Sequence, residues 1–317
     1  MLGGMFAVSA VRIDPKDSLS GLELGERPEP AARPGWTAVT VKAAALNHHD
    51  LWTLRGVGIT EDKLPMILGC DGAGVTDDGA EVLIHSVIDA RDGKPSILTE
   101  AYDGTFAERV LVPTANLVPK PDVLSWEQAA CLPTAWLTAY RMLFRNSGLH
   151  PGGTVLVQGA GGGVATALIV LARAAGFRVW ATSRSEEKRA RALELGAHAV
   201  FESGARLPER VDAVMETVGA ATWSHSVKAL RPEGTIVISG ATSGGMPPAE
   251  LTRIFFLQLR VVGSTMGSLD ELKALVRMCE ATGVRPVVDS VLPLAEARSG
   301  FERMAEGEAF GKIVFTL

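Results

Sequence analysis

The stretch from Thr154 to Gly176 places the tightest constraint on what this chain can fold into. It begins with the apolar run Val155 to Val157, passes through a glycine cluster that ends at Gly163, and continues with a helical pattern from Val164 to Ala175. The first amides of a helix have no partner within the helix, and together with the helix dipole they attract phosphate groups. The stretch therefore predicts a strand, turn and helix that bind a dinucleotide.

The glycine turn itself supplies the predicted contacts with the diphosphate. Gly162 takes the position where the backbone must come close to the ligand, and Ala165 takes the small-residue position of helix–strand packing. The residues predicted to bind the diphosphate are Gly161, Gly162, Gly163 and Val164. A glycine-rich turn before a helix also occurs as plain structure, so the surrounding elements have to support this interpretation.

The end of the next predicted strand, Phe177 to Thr182, discriminates between two dinucleotides. In NAD-binding proteins an Asp or Glu about 20 residues after the glycines accepts hydrogen bonds from the adenosine ribose. This chain has Ser183 there, followed by Arg184 and, four residues later, Lys188. Hydroxyls and cations suit a 2′-phosphate, so the sequence predicts NADPH. The alternative is that both cations are solvated charges at a helix start, although the helix dipole makes them unfavourable there.

Helices and strands continue to alternate after this point, which is typical of a doubly wound parallel sheet of about six strands. The predicted elements are the helix Glu186 to Leu195, the strands Ala199 to Phe201 and Val211 to Glu216, the helix Thr222 to Leu230, and the strands Thr235 to Ser239 and Leu259 to Gly263. Ligands of such sheets lie at the carboxyl ends of the strands. Further cofactor contacts are therefore predicted at Thr217, Val218, Gly219, Ser239, Gly240 and Ala241. The alternative for both loops is ordinary turn chemistry.

The regions before and after this unit have a different character. The first 121 residues are rich in turns and in strand candidates such as Trp36 to Leu46, and a helical stretch from Ser125 to Asn146 follows. The tail contains predicted helices from Leu269 and Leu294 and a last strand from Lys312 to Phe315. These patterns predict a β-rich domain beside the dinucleotide unit.

Composition limits the function and the location. The 317 residues carry a net charge of −5, which disfavours nucleic acid and anionic membranes as partners. The three cysteines show no C-x-x-C spacing, the first residues do not resemble a signal peptide, and no apolar run has membrane-spanning length. We expect a cytoplasmic protein that acts on a small molecule.

Several stretches outside the dinucleotide unit carry a family resemblance. They are Ala45 to Gly56 (ALNHHDLWTLRG), Leu68 to Gly74 (LGCDGAG), Leu132 to Tyr140 (LPTAWLTAY) and Phe310 to Val314 (FGKIV). In this order the chain resembles the medium-chain dehydrogenase/reductase superfamily, and within it the zinc-free quinone oxidoreductase branch that includes zeta-crystallin. The resemblance implies an α/β fold with a Rossmann doubly wound parallel sheet at residues 123–265. A discontinuous, β-rich GroES-like catalytic domain is implied at residues 1–122 and 266–317.

The resemblance also bears on zinc. Where the zinc-dependent branch has its ligands, this chain has Asn47, Cys70 and Thr134. Asn and Thr are poor zinc ligands, and the cysteine cluster of a structural zinc site is missing, so no metal is expected. The alternative is an unorthodox site among His48, His49, Asp50, Cys70 and Asp71, in which both histidines would have to reach one ion. Adjacent side chains on a strand or extended loop point in opposite directions, which argues against it.

Without a metal, hydrogen-bond donors must stabilise the oxygen on which charge develops. The predicted catalytic residues are Asn47, as such a donor, and His49, as a proton donor. A structural histidine is the alternative for His49, and Cys70 is interpreted as a small buried filler. The resemblance adds three cofactor contacts, His48, Thr138 and Lys312.

Together these observations predict an NADPH-dependent, zinc-free oxidoreductase that transfers hydride to a quinone or an α,β-unsaturated carbonyl compound. The alternatives are an enoyl-thioester (acyl-CoA) reductase, a zinc-type alcohol dehydrogenase and a catalytically silent NADPH-binding protein. The family often pairs its last parallel strand with that of a second subunit, so a homodimer formed through Leu259 to Gly263 is expected.

Overall fold

The computed structural model describes residues 4–89 and 95–317, and the chain divides into two compact units. The first unit comprises Met1–Thr134, Ser268–Glu280 and Val288–Leu317, and the second comprises Ala135–Gly267 and Ala281–Val287.

The elements are numbered in chain order. The strands are β1 Gly4–Ala10, β2 Leu22–Pro28, β3 Trp36–Ala45, β4 Met66–Ile67, β5 Asp71–Thr76, β6 Glu81–Ile84, β7 Val87–Asp89, β8 Pro95–Ile97, β9 Arg109–Pro113, β10 Leu117–Pro119, β11 Thr154–Val157, β12 Arg178–Thr182, β13 Ala199–Phe201, β14 Val211–Glu216, β15 Leu230–Ile238, β16 Arg260–Gly263, β17 Val288–Pro293 and β18 Lys312–Thr316. The α-helices are α1 His48–Leu54, α2 Trp126–Ala130, α3 Leu137–Arg141, α4 Gly163–Ala174, α5 Glu186–Glu194, α6 Ala220–Ala229, α7 Leu251–Phe256, α8 Leu269–Thr282 and α9 Ala297–Ala305.

The second unit is built on a parallel sheet with the strand order β13-β12-β11-β14-β15-β16. Val155, Leu156 and Val157 on the central strand β11 are fully buried, as expected for a strand covered on both faces. From the middle of the sheet, the chain adds β11, β12 and β13 outwards on one side and β14, β15 and β16 outwards on the other. The strand order therefore reverses between β11 and β14. The predicted doubly wound sheet is therefore confirmed, and its ligand-binding edge is the one where β11, β12, β14 and β15 end.

Two details of the second unit differ from the sequence prediction. Helix α7 was not predicted, because its apolar residues Leu251, Phe255 and Phe256 are exposed and do not form the stripe of a buried face. The predicted helix from Ser125 to Asn146 is interrupted by π-helical turns, one of which spans Leu132–Trp136. Pro133 lies in that segment and has no amide hydrogen, so the regular hydrogen-bond ladder cannot pass through it.

The first unit contains a sheet with the strand order β10-β6-β5-β3-β18-β17, a smaller sheet β2-β1-β4, and the hairpin β7-β8. Strand β18 at the end of the chain lies antiparallel to β3, with Val314 opposite Ala45. The tail therefore completes this β-rich unit, as the resemblance implied. The pairing also places Lys312 at the point where β3 ends and α1 begins.

Aromatic side chains hold the tail in the core of the first unit. Phe106, Phe301 and Phe315 are fully buried, and the Phe106 ring makes edge contacts with the other two at centroid distances of 6.1 and 5.1 Å. Within residues 4–89 and 95–317, no helix is both long and apolar enough to cross a membrane.

Candidate active site

Asp50 connects the start of helix α1 with the loop before β5. Its carboxylate oxygens accept hydrogen bonds from the backbone amides of Asn47 and Gly69, each at 2.9 Å. The side chain is fully buried, and this burial raises the pKa of Asp50 to about 7. Asp50 therefore orients the segment, as expected for a carboxylate that accepts backbone hydrogen bonds.

A buried ion pair lies beside Asn47. The Lys312 ammonium donates to Asp71 Oδ2 at 3.0 Å, to Asn47 Oδ1 at 2.6 Å and to the carbonyl oxygen of Leu46 at 2.8 Å. Lys312 is 2% exposed and Asp71 is 0% exposed, so little water screens the pair. An ammonium has three protons, and here each has a protein acceptor.

The same ion pair determines the orientation of the Asn47 amide. Its Nδ2 donates to Asp71 Oδ2 at 2.9 Å and to the Ala45 carbonyl oxygen at 3.2 Å. The reverse orientation would place the amide hydrogens against the Lys312 ammonium and the amide oxygen against the Asp71 carboxylate. Both amide hydrogens of Asn47 are therefore committed to protein acceptors.

In this arrangement both amide hydrogens of Asn47 and all three ammonium protons of Lys312 are donated to acceptors within the protein. The physical reason is burial, because polar groups withdrawn from water pair with each other rather than remain available.

The donor set at this place does not fit a catalytic zinc ion. Asn47 Oδ1 faces an ammonium group, and burial raises the pKa of the Cys70 thiol well above its usual value. Zinc binds the thiolate, and burial disfavours that charged form at Cys70. In the part of the chain that the structure describes, no three His, Cys, Asp or Glu residues are grouped so that they could hold a metal ion.

His48 and His49 are the first two residues of α1 and do not lie on a strand or extended loop, so the argument from opposite strand faces does not apply. His48 is exposed and stacks against Trp52, with ring centroids 6.4 Å apart. Loss of hydration and the charges of Lys312 and Arg55 lower the pKa of His48, although solvent screens these effects. Both effects favour the neutral form of the His48 ring.

His49 has a more enclosed environment. Burial lowers the pKa of His49 to about 4, and no hydrogen-bond partner of its Nε2 is found among the described residues. The Glu100 carboxyl group lies close to this ring, with Oε1 3.9 Å from Nε2. Burial also raises the pKa of Glu100. Sequence reasoning missed this pairing, because no local pattern connects positions 49 and 100.

In the second unit, the structure brings the predicted phosphate-binding residues together. A Cβ atom added to Gly161 would lie 2.8 Å from Cδ and 3.3 Å from Nζ of Lys188, so this side chain passes directly over the glycine turn. A Cβ atom added to Gly162 would meet no heavy atom within 4 Å. The turn thus leaves open space at the start of α4, with a cation beside it, which fits a diphosphate.

The segment after β12 is braced from α5. The Arg189 guanidinium donates to the carbonyl oxygens of Ser183, at 2.7 Å, and Arg184, at 3.3 Å. Ser183 is buried, whereas Arg184 is exposed. Arg189 was not singled out from the sequence, where it is one of several charges on a polar helix.

The two predicted loops after β14 and β15 also lie against each other. The Ser243 amide donates to the Val218 carbonyl oxygen at 2.7 Å, and a Cβ atom on Gly219 would lie 2.8 Å from Cα of Ala241. A Cβ atom on Gly240 would lie 3.0 Å from the carbonyl oxygen of Thr217. Ser239 follows β15 directly, and its amide donates to the carbonyl oxygen of Glu216 at 3.0 Å. Thr138 lies buried in α3 of the same unit.

Comparison with known proteins agrees with both units. The family model for the alcohol dehydrogenase GroES-like domain matches residues 33–122, and that for zinc-binding dehydrogenases matches residues 163–281. A zinc-type alcohol dehydrogenase-like protein of Schizosaccharomyces pombe is 31% identical over 90% of this chain and 91% of its own length. The acryloyl-coenzyme A reductase of Metallosphaera sedula is 28% identical over 95% of this chain and 98% of its own length.

Among solved structures, the crystal structure of an NAD-dependent alcohol dehydrogenase superposes with a TM-score of 0.90 at 36% identity. The match covers 99% of this chain and 100% of the other. Sequence and fold thus agree along nearly the whole chain.

Proposed function

Because the chain belongs to the medium-chain dehydrogenase/reductase superfamily, we propose that it is an NADPH-dependent oxidoreductase that needs no zinc. Its substrate is a quinone or an α,β-unsaturated carbonyl compound. The observation that carries this proposal is the buried Lys312–Asp71 pair, which engages both ends of the Asn47 amide where the resemblance predicts a zinc ligand.

The second unit holds the nucleotide in this proposal. NADPH supplies the hydride. The amides at the start of α4 and the open space at Gly162 receive the diphosphate, and Lys188 and Arg184 neutralise the ribose 2′-phosphate. The Ser183 side chain is shorter than the carboxylate that binds the adenosine ribose in NAD-binding proteins, and it bears no charge that would repel the 2′-phosphate. These features favour NADPH over NADH.

The first unit favours a conjugated substrate. Reduction of a simple ketone leaves a basic alkoxide, which gains most from a Lewis acid, whereas a conjugated carbonyl spreads the charge that develops on it. With the Asn47 amide committed to Asp71 and Ala45, His49 is the predicted catalytic residue that keeps a ring nitrogen without a partner. In this proposal the neutral His49 ring donates a hydrogen bond from Nε2–H to the oxygen on which charge develops, and the proton that completes the reduction comes from water. Glu100 Oε1 lies 3.9 Å from Nε2.

One alternative has specific support. The acryloyl-coenzyme A reductase of Metallosphaera sedula resembles this chain over nearly its full length, and its name describes an enoyl thioester as substrate. An enoyl thioester is also a conjugated carbonyl, so the same residues would serve it. A zinc-type alcohol dehydrogenase and a catalytically silent nucleotide-binding protein are the remaining alternatives.

The test is turnover with defined electrophiles. Purified protein is mixed with NADPH, or with NADH in parallel, and with quinones, enones or enoyl thioesters, and the loss of nicotinamide absorbance is followed. We expect turnover with NADPH and a conjugated acceptor, and a loss of about 10²-fold or more in His49→Gln. Turnover with simple aldehydes or ketones alone would contradict the substrate class.

Zinc dependence is tested separately. The zinc content of the purified protein is measured by elemental analysis, and activity is assayed after chelation and after zinc addition. We expect the activity to be changed by neither treatment. Activity that appears only with stoichiometric zinc would identify a zinc-type dehydrogenase instead.

We also place the protein in the cytoplasm as a homodimer in this proposal. Within the described residues Cys70, Cys131 and Cys279 are buried and form no disulfide bond, which suits a reducing compartment. The dimer contact is the outer edge of β16.

A further inference from the structure

A set of polar side chains is fully buried behind the predicted nucleotide-binding edge of the second unit. Gln158 follows β11 and Thr182 ends β12. Glu216 ends β14, and Ser226 lies on α6. Each of the four is 0% exposed. Buried polar groups are costly unless they are hydrogen-bonded, so their partners indicate why they are there.

The four side chains form one continuous chain of hydrogen bonds. The Gly159 amide donates to Thr182 Oγ1 at 3.3 Å, and this hydroxyl donates to Gln158 Oε1 at 2.6 Å. Gln158 Nε2 donates to Ser226 Oγ at 2.9 Å, and Ser226 Oγ donates to Glu216 Oε2 at 2.6 Å. The chain therefore runs from the glycine turn to the end of β14.

The hydrogen bonds of His225 assign the direction of the chain. The second hydrogen of Gln158 Nε2 points to Nδ1 of His225, at 2.9 Å, and Nε2 of His225 donates to the Ala205 carbonyl oxygen, also at 2.9 Å. With Gln158 Nε2 on this side, its Oε1 can only face Thr182. Every donor thus points along the chain towards Glu216, whose side-chain oxygen accepts the last hydrogen bond.

The other carboxylate oxygen holds the loop after β14. Glu216 Oε1 accepts the backbone amides of Val218, at 2.8 Å, and Gly219, at 3.0 Å, together with the Thr222 hydroxyl at 2.8 Å. Gly219 has φ +91°, in the left-handed region. In this conformation the amides of Val218 and Gly219 both point to the same carboxylate oxygen.

We propose that Glu216 is the positioning residue of the nucleotide site. Its carboxylate ends the hydrogen-bond chain from Gly159 and binds the Val218 and Gly219 amides, so one charge sets the geometry of three loops. These are the glycine turn, the end of β12 and the loop after β14. The inference rests on the proposed function in that these loops bind NADPH. Glu216 itself is buried and acts only through them.

The test compares two carboxylates on the same strand. Glu216→Gln keeps the shape but offers an amide where only donors meet it. The control is Asp212→Asn, because Asp212 accepts the Thr154 amide at 2.6 Å at the opposite end of the sheet. The dissociation constant of NADPH is measured by fluorescence titration, and hydrogen exchange of residues 217–219 by mass spectrometry without nucleotide.

For Glu216→Gln we expect NADPH to bind about tenfold more weakly and residues 217–219 to exchange at least about tenfold faster. For Asp212→Asn we expect neither change, even if its melting temperature falls by as much as that of Glu216→Gln. An unchanged NADPH dissociation constant in Glu216→Gln overturns the proposal, whatever the exchange rates show.

A second variant covers the case in which Glu216→Gln does not fold. Ser226→Ala cuts the chain but leaves the carboxylate, so we expect faster exchange at the Gly159 turn and about threefold weaker NADPH binding. Wild-type exchange and affinity in Ser226→Ala would then refute the inference. If the wild-type protein binds neither NADPH nor NADH, the proposed function fails. The role of Glu216 is judged separately by hydrogen exchange, because variants whose residues 217–219 exchange as slowly as in the wild-type protein would count against it.

Discussion

At the scale of single residues, the Lys312–Asp71 pair shows that buried side chains of a sequence motif can be used in hydrogen bonds within the protein. The pair lies in an environment with almost no solvent, where each charge depends on the other. The Asn47 amide donates a hydrogen bond to Asp71 and accepts one from Lys312, so both ends of this side chain are bonded within the protein. The pair is a structural element of this region, and the proposed function assigns the chemistry to His49.

Removing one charge of this pair should be strongly destabilising. For Lys312→Met we expect a loss of about 3–5 kcal/mol in the free energy of unfolding, because the Asp71 carboxylate stays buried without a cation. Urea unfolding measures it, with Lys42→Met on the exposed side of β3 as control, for which a change within about 0.5 kcal/mol is expected. The double variant Lys312→Met/Asp71→Asn should recover part of the loss. A Lys312→Met protein as stable as the control would show that the pair contributes little.

His49 should make the protein less stable in acid. Its pKa is lowered from 6.5 to about 4, so between these values the unfolded chain binds a proton that the folded chain does not. The free energy of unfolding should therefore fall as the pH drops through this window, by up to about 3 kcal/mol relative to His49→Gln. Asp50 acts in the opposite sense, because its raised pKa favours the folded state at low pH.

Urea unfolding at several pH values between 4 and 7.5 checks this, since the comparison with His49→Gln cancels the contribution of Asp50. Parallel curves for the two proteins would show that the His49 ring titrates normally.

At the scale of elements, helix α4 carries the predicted function on its first turn. Gly162 has φ −71° and open space around its missing Cβ, so the fold itself does not require glycine there. Gly159 differs, because a Cβ atom there would lie 2.6 Å from Cγ2 of Val218. Under the proposed function, glycine is needed at position 162 for the close approach of the ligand.

We expect Gly162→Ala to change the free energy of unfolding by less than about 1 kcal/mol, because its backbone conformation suits alanine. NADPH should nevertheless bind at least about tenfold more weakly, since the methyl group occupies the space of close approach. Gly25→Ala is the matched control, because Gly25 lies on β2 and its added Cβ also meets nothing within 4 Å. Equal NADPH affinity in both variants would mean that the diphosphate binds elsewhere.

At the scale of the whole molecule, the outer edge of the parallel sheet carries exposed apolar side chains. Strand β16 is the last in the sheet order, and Val261 on it is 45% exposed. Leu251, Phe255 and Phe256 on α7 are 69%, 62% and 73% exposed. An unpaired strand edge flanked by exposed large apolar side chains is typical of a protein interface.

We expect the wild-type protein to be a dimer in light scattering and Val261→Lys/Phe256→Lys to be a monomer, because the added charges would be buried in the interface. Val123→Lys, at an exposed apolar residue of the first unit, should remain dimeric. A double lysine variant that stays dimeric would place the contact on another surface.

The sequence by itself determined the class of fold and the location of the nucleotide unit. Buried strands, the glycine turn and the helices that follow are coded by neighbouring residues, so their local patterns predicted all six strands of the parallel sheet. The same holds for Ser183, Arg184 and Lys188, which are placed by their spacing from the glycines.

Only the tertiary structure decided which polar groups remain available for chemistry. Lys312 and Asp71 are 241 positions apart, and it is the pairing of β18 with β3 that brings this lysine to Asn47. The partners of Glu216 and His49 likewise come from other elements. Hydrogen bonding and pKa values depend on burial and on distant neighbours, which no local sequence pattern records.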